Sequence, residues 1–453
     1  MSLENLVEKE YSNLDVNEMR EGWILTTAQY NAGLNNNYFN GLERVAKKYG
    51  YKIGILPVAG APYEKDNILS ERLQQHTVLD STYKINDSLE INNWKVKPQK
   101  IKPLTGLRRF TKKNKSTIFG SPKQEFEHIP SNKPIPKLIA TTGACTKPHY
   151  NMNTEIGQKA YLMHEYGALV VDVLDDTYFT WRSIKANNIG SFDDYIFGHW
   201  DGKKLNTPRK PFINLGDGHY EHVDEEVHKW TVDIIKKTKP IGVADHDIGG
   251  FSCISHHTVG NSTAQYFSRK DMTLDKEFSM IAKYMKDIYD ALPKGSKYVV
   301  PQANHNEHLS RWIDEGRYLN DSVNINHVPE LLRYRLNGLN PLEQYLKANY
   351  GLPKSIKFLT RNEDYKVYGI DFSKHGDIGA SGSKFSINHG INNQGIVSKA
   401  HDHTGSKHEG VTSAGHRSQA RHGYNKGESP WSYTLVLGYP NGNTQSINYI
   451  KKQ

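Results

Sequence analysis

The chain has 453 residues, a formal net charge of +9 and a mean hydropathy of −0.70. This length allows two or three domains, or one large enzyme core with an elaborate flank. No stretch approaches the roughly 20 apolar residues of a membrane helix, and Met1–Arg20 lacks the apolar segment of a secretory leader. We therefore expect a soluble, cytoplasmic protein with no membrane partner.

The two cysteines, Cys145 and Cys253, lie far apart and form no CxxC motif. This excludes a disulfide framework and argues against a zinc site built on thiolates. Any metal would be held by nitrogen and oxygen donors, which the 21 His residues and the Asp and Asn residues supply. Such donors suit manganese, iron or zinc. The basic balance favours a polyanionic partner.

Strand and helix patterns alternate near the N-terminus. Trp23–Thr27 and Lys52–Val58 are apolar and flank the amphipathic run Phe39–Tyr49, which predicts a β-α-β unit. A second unit is predicted from Leu138–Thr142, a helix near Glu155–Tyr166, and the strand Ala168–Leu174. The continuous apolar character of that last strand is typical of a buried parallel strand.

Between these two units, residues 60–135 are polar and carry few apolar repeats, which predicts a partly loop-like insertion or arm. We expect residues 1–206 as a whole to form an N-terminal α/β region, and residues 207–453 to form the core. In the core, Val223–Lys237 and the apolar residues from Leu274 to Ile288 have helical spacing. Asn441-Gly442 predicts a hairpin between the last two strands, Tyr433–Gly438 and Gln445–Ile450.

Five predicted strands of the core are each followed by residues that bind metals well. The strands are Pro211–Leu215, Ile241–Ala244, Tyr298–Val300, Val367–Phe372 and Ile396–Ala400. The residues that follow them are Asp217 and His219; Asp245, His246 and Asp247; Asn304 and His305; His375 and Asp377; and His401 and His403. If the strands share a sheet, these clusters meet at its carboxyl edge. A single cluster is usually a cap or a turn, but caps do not explain five in succession.

The order D-x-H, Asp, N-H, His and A-H-x-H, over roughly residues 211–450, resembles the calcineurin-like metallophosphoesterases. That superfamily includes purple acid phosphatases, cyclic-nucleotide phosphodiesterases and SbcD-type DNA nucleases. The resemblance implies an α/β fold of two packed mixed β-sheets flanked by helices, to which residues 1–206 add an α/β elaboration. It also implies two divalent metal ions, Mn2+ by preference, with Mg2+, Fe2+ or Zn2+ as alternatives.

Carried over residue by residue, the resemblance assigns Asp217, His219 and His403 to one metal ion. It assigns Asn304, His375 and His401 to the other, with Asp247 bridging both. Where the superfamily has Gly-Asp, this chain has Asp245-His246-Asp247, so Asp245 is the alternative bridge. Ala303 and Ala400 replace glycines, and alanine restricts positive φ.

The implied reaction is phosphoester hydrolysis, in which divalent ions lower the pKa of bound water and neutralise phosphoryl oxygens. His305 would not bind metal but would protonate the departing oxygen. Asp377 would orient an imidazole ligand, or be an ordinary loop aspartate. His256 and His257 would face the substrate, or form an ordinary loop pair.

A closer resemblance rests on His246-Asp247-Ile248-x-Gly250-x-Ser252 with His256-His257, and on Tyr424-Asn425-x-Gly427-x-x-x-Trp431. These segments, with the N-terminal β-α-β unit, look like the phage-encoded metallophosphoesterases related to the host-DNA-degrading protein of T-five-type bacteriophages. This resemblance implies a manganese-dependent DNase in the cytoplasm of an infected bacterium.

Charge also points to DNA as the substrate. Trp94–Lys123 holds ten Lys or Arg residues and no Asp or Glu, with Trp94 and Phe110 among them, so it offers phosphate contacts and base stacking. A solvated loop is the alternative. The predicted DNA contacts are Lys97, Lys100, Lys102, Arg108, Arg109, Lys112 and Lys113. Further cations are predicted near the metal residues, at Lys384, Lys399, Lys407, Arg417, Arg421 and Lys426.

Two other functions are consistent with these residues. A phosphatase or small-molecule phosphodiesterase would use the same metals and ignore DNA. A non-catalytic DNA-binding protein would keep the fold and the basic segment, but it would have no use for His305. The sequence leaves open endo- or exonuclease action and the oligomeric state, a homo-oligomer included.

Overall fold

A computed structural model describes residues 19–61, 66–94, 96–112, 114–131, 136–255, 272–386, 390, 395–420 and 427–451. The chain divides into two compact units. Unit 1 takes its described residues from Met1–Lys210, Thr404–Ser413 and Asn425–Gln453. Unit 2 takes them from Pro211–His403 and Ala414–Tyr424.

Helices and strands alternate along the described chain. The helices are α1 Asn36–Tyr49, α2 Glu71–Gln74, α3 Glu155–Leu162, α4 Glu225–Thr238, α5 Leu274–Ala291, α6 Glu307–Asp314, α7 Val328–Leu336 and α8 Pro341–Asn349. Up to residue 210 the strands are β1 Glu21–Gln29, β2 Lys52–Val58, β3 Thr77–Val78, β4 Tyr83–Lys84, β5 Leu89–Asn92, β6 Ser116–Phe119, β7 Phe126–Ile129, β8 Lys137–Thr141, β9 Tyr166–Val173, β10 Phe179–Ala186, β11 Phe192–Asp194, β12 Gly198–Trp200 and β13 Leu205–Asn206.

The strands after residue 210 fall into two groups. From 211 to 403 they are β14 Phe212–Asp217, β15 Gly242–His246, β16 Lys297–Val300, β17 Lys357–Phe358, β18 Lys366–Val367, β19 Ile370–Asp371 and β20 Val397–Lys399. The last strands are β21 Ser406–His408, β22 Val411–Ser413, β23 Tyr433–Gly438 and β24 Thr444–Tyr449.

The first sheet of unit 1 has the order β23-β24-β10-β9-β1-β2-β3, and β11, β12 and β13 extend from β10. Strands β1 and β2 are parallel and joined by α1, which confirms the predicted β-α-β unit. The α1 helix begins after Asn35, whose side chain accepts a hydrogen bond from the backbone N–H of Tyr38, and ends at Gly50 in the left-handed region. Strands β23 and β24 form the predicted hairpin.

The prediction for β9 is wrong in its pairing. Strands β8 and β9 lie in different sheets, so no second β-α-β unit forms, and β9 is antiparallel to both β1 and β10. Its apolar run has another cause, because both faces of the strand are buried. Val170 packs on the side of α1, while Leu169 and Val171 pack between the two sheets.

The described residues of 60–135 do not form an arm. Strands β5, β6 and β7 lie inside the second sheet of unit 1, which has the order β22-β21-β7-β8-β6-β5-β4. Ile118 and Phe126 are fully buried and pack against Trp23 and Trp181 of the first sheet. The few apolar residues of this segment are thus concentrated on strands that a core covers.

Unit 2 has a parallel sheet of order β17-β16-β15-β14 and a small mixed sheet of order β18-β19-β20. The two sheets pack through Phe212, Ala244, Val299, Ile370 and Phe372. The five strands that precede the candidate metal ligands therefore do not share one sheet. The predicted strand Val367–Phe372 is in fact β18 and β19, because Tyr368 and Gly369 adopt positive φ and reverse the chain.

The predicted α/β class with two packed mixed sheets and flanking helices is confirmed. The predicted helices at Val223–Lys237 and from Leu274 onward correspond to α4 and α5. None of the helices in the described ranges combines the length and apolar character that a bilayer span requires.

The core between the sheets of unit 1 can be tested at Phe126, which is fully buried with its ring centroid 4.6 Å from that of Trp181. Phe126→Ala should lower the free energy of unfolding by about 3–5 kcal/mol, because it leaves a cavity between the sheets. Urea unfolding followed by circular dichroism measures this. Leu162→Ala, on a side chain that is 83% exposed, is the control and should change stability by less than about 0.5 kcal/mol.

Candidate metal centre

The centre begins where β14 and β15 end side by side, with Asp217 opposite His246. Gly216 makes this possible, because its φ is +72° and a Cβ there would lie 2.2 Å from the carbonyl oxygen of Gly415. The buried Asn214 side chain accepts from the Gly216 N–H at 2.9 Å and donates to the Lys399 carbonyl at 3.1 Å. Asn214 therefore ties β14 of the parallel sheet to β20 of the small sheet.

One group of donors consists of Asp217, His219 and His403, all buried. Nε2 of His219 lies 3.1 Å from Nε2 of His403. The same His403 nitrogen lies 3.0 Å from Oδ2 of Asp217. These are the three residues that the superfamily resemblance assigns to one metal ion.

A second group surrounds Asp247 and His375. Nε2 of His375 lies 3.1 Å from Oδ2 of Asp247 and 3.0 Å from Oδ1 of Asn304. The His401 ring centroid is 5.1 Å from that of His375. Asp217 and Asp247 both contact His375, the former at 3.7 Å, so the two groups are continuous.

His305 lies at the rim of this centre and is partly buried. Its Nδ1 is 3.3 Å from the carbonyl oxygen of Gly250, and its backbone N–H donates to Oδ1 of Asp247 at 3.1 Å. Its ring centroid is 4.8 Å from that of His219. One possible ligand atom from each of His305, His219 and Asp247 lies within 4.8 Å of the other two. His305 is therefore also a candidate metal ligand, which the sequence did not predict.

Several of these residues adopt the left-handed backbone conformation. The φ angles are 41° at His219, 39° at Asp247, 75° at His401 and 55° at His403. Such conformations cost on the order of 1–3 kcal/mol each in residues with a side chain and concentrate at functional sites. Ala303 and Ala400 do not have positive φ, so replacing the superfamily's glycines there causes no strain.

The electrostatics fit a cation. Burial alone would raise the pKa values of Asp217 and Asp247, but His375 and the neighbouring imidazoles lower both well below the usual range. Burial alone would lower the pKa of His375, yet Asp247 and Asp217 raise it to about 9. Two buried, ionised carboxylates are stable only beside positive charge, and a divalent ion held by these residues would supply that charge.

Asp245 is turned away from this centre. Its carboxylate is bound by Arg417 and accepts hydrogen bonds from Tyr220 at 2.7 Å and Tyr298 at 2.5 Å. Arg417 also donates its backbone N–H to the carbonyl oxygen of Asp217. Asp247, not Asp245, is therefore the carboxylate beside the other candidate ligands, and this buried network supports the loop that holds Asp217.

The remaining predicted site residues make other contacts. The Asp377 carboxylate is bound by Arg361 at 2.7 Å through each of its oxygens. Lys384 and Lys399 pair with Asp402. Lys407 and Arg417 are buried inside the protein and are not surface cations. His256, His257, Lys113, Arg421 and Lys426 lie outside the described residues.

Several of the predicted DNA contacts make contacts within the protein. Arg108 makes a two-pronged ion pair with Glu127, and Lys112 pairs with Glu90. Lys100 donates to the carbonyl oxygen of Thr105. The exposed Trp94 and Phe110 stack on each other with centroids 4.2 Å apart. Lys97, Lys102 and Arg109 are also exposed.

The sequence did not single out Tyr220, Tyr298 or Arg361 as supports of the site. It placed His246 in a cluster but gave it no role. The His246 ring is fully buried and lies 5.6 Å from the His375 ring, and neither nitrogen has a hydrogen-bond partner among the described residues. Its position between two aspartates was the available signal.

Comparison with known proteins relates the chain to a bacteriophage protein. It is 26% identical to Protein A1 of Escherichia phage T5, in an alignment that covers 95% of this chain and 83% of that protein. No protein-family model matches the chain, and no solved structure matches it. The phage resemblance seen in the sequence is thus supported, and the site itself rests on its geometry.

Metal content provides a direct test of the centre. Asp217→Asn or His403→Ala should lower bound Mn2+ by at least one ion per chain, because each change removes a donor from the group that includes His219. Elemental analysis after dialysis against Mn2+ measures this. Asp290→Asn, an exposed aspartate on α5, should leave the metal content unchanged. Full metal content in both site variants would refute the assignment.

Proposed function

We propose that this protein is a metal-dependent phosphodiesterase that hydrolyses DNA. The observation that carries the proposal is the convergence of Asp217, Asp247, His219, His375 and His403 in one buried centre with His305 beside it. Nitrogen and carboxylate donors without thiolates suit Mn2+, Fe2+ or Zn2+, and we favour two Mn2+ ions. One ion would be held by Asp217, His219 and His403. The other ion would be held by Asn304, His375 and His401, and Asp247 would bind both ions.

Two divalent ions bound here would supply a water of lowered pKa and positive charge for the phosphoryl oxygens. His305 fits the role of proton donor. Its Nδ1 faces the carbonyl oxygen of Gly250, which favours the neutral tautomer with the proton on Nδ1, so the proton that His305 donates would be a second proton, held on Nε2 of the imidazolium. The backbone bond from His305 to Asp247 keeps the imidazole next to the donors, where a leaving oxygen would depart.

DNA is the proposed substrate for two reasons: the protein is positively charged, and it is related to a bacteriophage protein. The net charge is +9, and the segment that holds the stacked pair Trp94 and Phe110 also carries the exposed cations Lys97, Lys102 and Arg109. Phosphate contacts and stacking together are typical of nucleic-acid surfaces. For a relative of a T5 phage protein, we propose degradation of host DNA in the bacterial cytoplasm.

The assignment of His305 predicts a separation of chemistry from metal binding. His305→Ala should reduce plasmid cleavage in Mn2+ by about 100-fold or more, the range expected when a general acid is lost, while both metal ions are retained. Gel analysis of cleavage and elemental analysis of the same sample measure the two properties. His149→Ala in unit 1 is the control. Loss of metal in His305→Ala would show that His305 is a ligand.

The substrate assignment is tested with charge-removal variants. Replacing Lys97, Lys102 and Arg109 together by Gln should weaken duplex binding and reduce the slope of log affinity against log salt by about 3, since each phosphate contact contributes about 0.9. Binding is measured by fluorescence anisotropy at several salt concentrations. An unchanged slope would exclude these cations as DNA contacts. If the wild type cleaved p-nitrophenyl phosphodiesters but not DNA, a small-molecule phosphodiesterase would be the correct function.

A further inference from the structure

Arg361 connects the two loops that carry Asn304 and His375. It follows β17, and its Nε donates to Oε1 of Glu307 at 2.8 Å. Its Nη1 and Nη2 donate to the two oxygens of Asp377, both at 2.7 Å. One guanidinium therefore binds carboxylates on two separate segments of unit 2.

In the sequence, these two carboxylate residues lie two or three positions from candidate metal ligands. Glu307 is the first residue of α6, three residues after Asn304 and two after His305. Asp377 follows His375 by two residues. The donor atoms Oδ1 of Asn304 and Nε2 of His375 are 3.0 Å apart, and they come from loops that follow β16 of the parallel sheet and β19 of the small sheet.

The contacts of Arg361 indicate that it positions other residues and does not contact the substrate. Nε, Nη1 and Nη2 of Arg361 all donate to protein carboxylates, so these three nitrogens are already occupied within the protein. The side chains are largely shielded, with 26% of Arg361, 18% of Glu307 and 9% of Asp377 exposed. Charge-assisted, two-pronged pairs in such surroundings restrain geometry as well as adding energy.

We propose that Arg361 is a positioning residue that sets the separation between Asn304 and His375, and thereby the affinity for the metal ion held by that half of the centre. This inference rests on the proposed metal centre. It goes beyond it by assigning the support of one metal ion to a residue that contacts neither metal nor substrate. The other half, with Asp217, His219 and His403, does not depend on Arg361.

The variants are Arg361→Ala, Arg361→Lys and Asp377→Asn in the full chain. Arg361→Ala should weaken binding of one Mn2+ ion by about 10- to 100-fold, the usual effect of removing an outer partner of a ligand, and leave the other ion unchanged. Arg361→Lys should show an intermediate loss, because an ammonium cannot bind two carboxylates in the planar, two-pronged way. Calorimetric titration of metal-free protein with Mn2+ measures both ions.

Arg335→Ala is the matched control. Arg335 makes a two-pronged pair with Asp314 at 2.8 and 2.6 Å, at the far end of α6, so its loss removes a similar interaction away from the centre. Metal affinity should be unchanged in this control.

Plasmid cleavage gives a second readout. As the Mn2+ concentration rises, the Arg361→Ala variant should recover activity because the weakened metal site fills.

Three outcomes would overturn the inference: unchanged affinity for both ions in Arg361→Ala, equal weakening of both, or a lower melting temperature with normal metal binding. The last would mean that Arg361 stabilises the fold only. If the wild type bound two Mn2+ ions but cleaved no phosphodiester, the proposed function would fail while the titrations still decided the role of Arg361.

Discussion

The burial of two carboxylates in one place is the constraint on which the centre of unit 2 depends. Asp217 and Asp247 are shielded from water and share His375 as a neighbour. An isolated buried carboxylate is costly, and two together are costlier unless cations or hydrogen-bond donors surround them. The imidazoles around the two carboxylates offset this cost, as do the backbone N–H groups of His305 and His401 that donate to them. The left-handed residues bring these groups into place.

The sequence pointed to the candidate donors because of where they stand in the chain. Each follows a short apolar run, and buried strands with polar ends are visible without knowledge of pairing. The choice between Asp245 and Asp247 was harder, because alternate residues of a strand share a face. The backbone of Asp247 leaves the extended conformation, with φ of 39°, and this separates the two carboxylates.

What the sequence could not reveal depends on partners far along the chain. Asn214, Arg361 and Arg417 look like ordinary polar residues until the segments that they join are brought together. The burial of β9 was predicted, but apolar composition reports burial on both faces and not strand direction. Residues 60–135 looked loop-like because strands of four residues, such as β6 and β7, contribute too few apolar residues to stand out in a polar segment.

The candidate donors follow strands of two sheets that face each other, so the packing between these sheets bears on the site. Packed sheets are held about 10 Å apart by the side chains between them, here Phe212, Val299, Ile370 and Phe372 among others. Asn214 also links the two sheets, through hydrogen bonds from β14 to Ser398 and Lys399 of β20. The side chains of this hydrophobic layer therefore set the spacing between the strands whose ends carry the candidate donors.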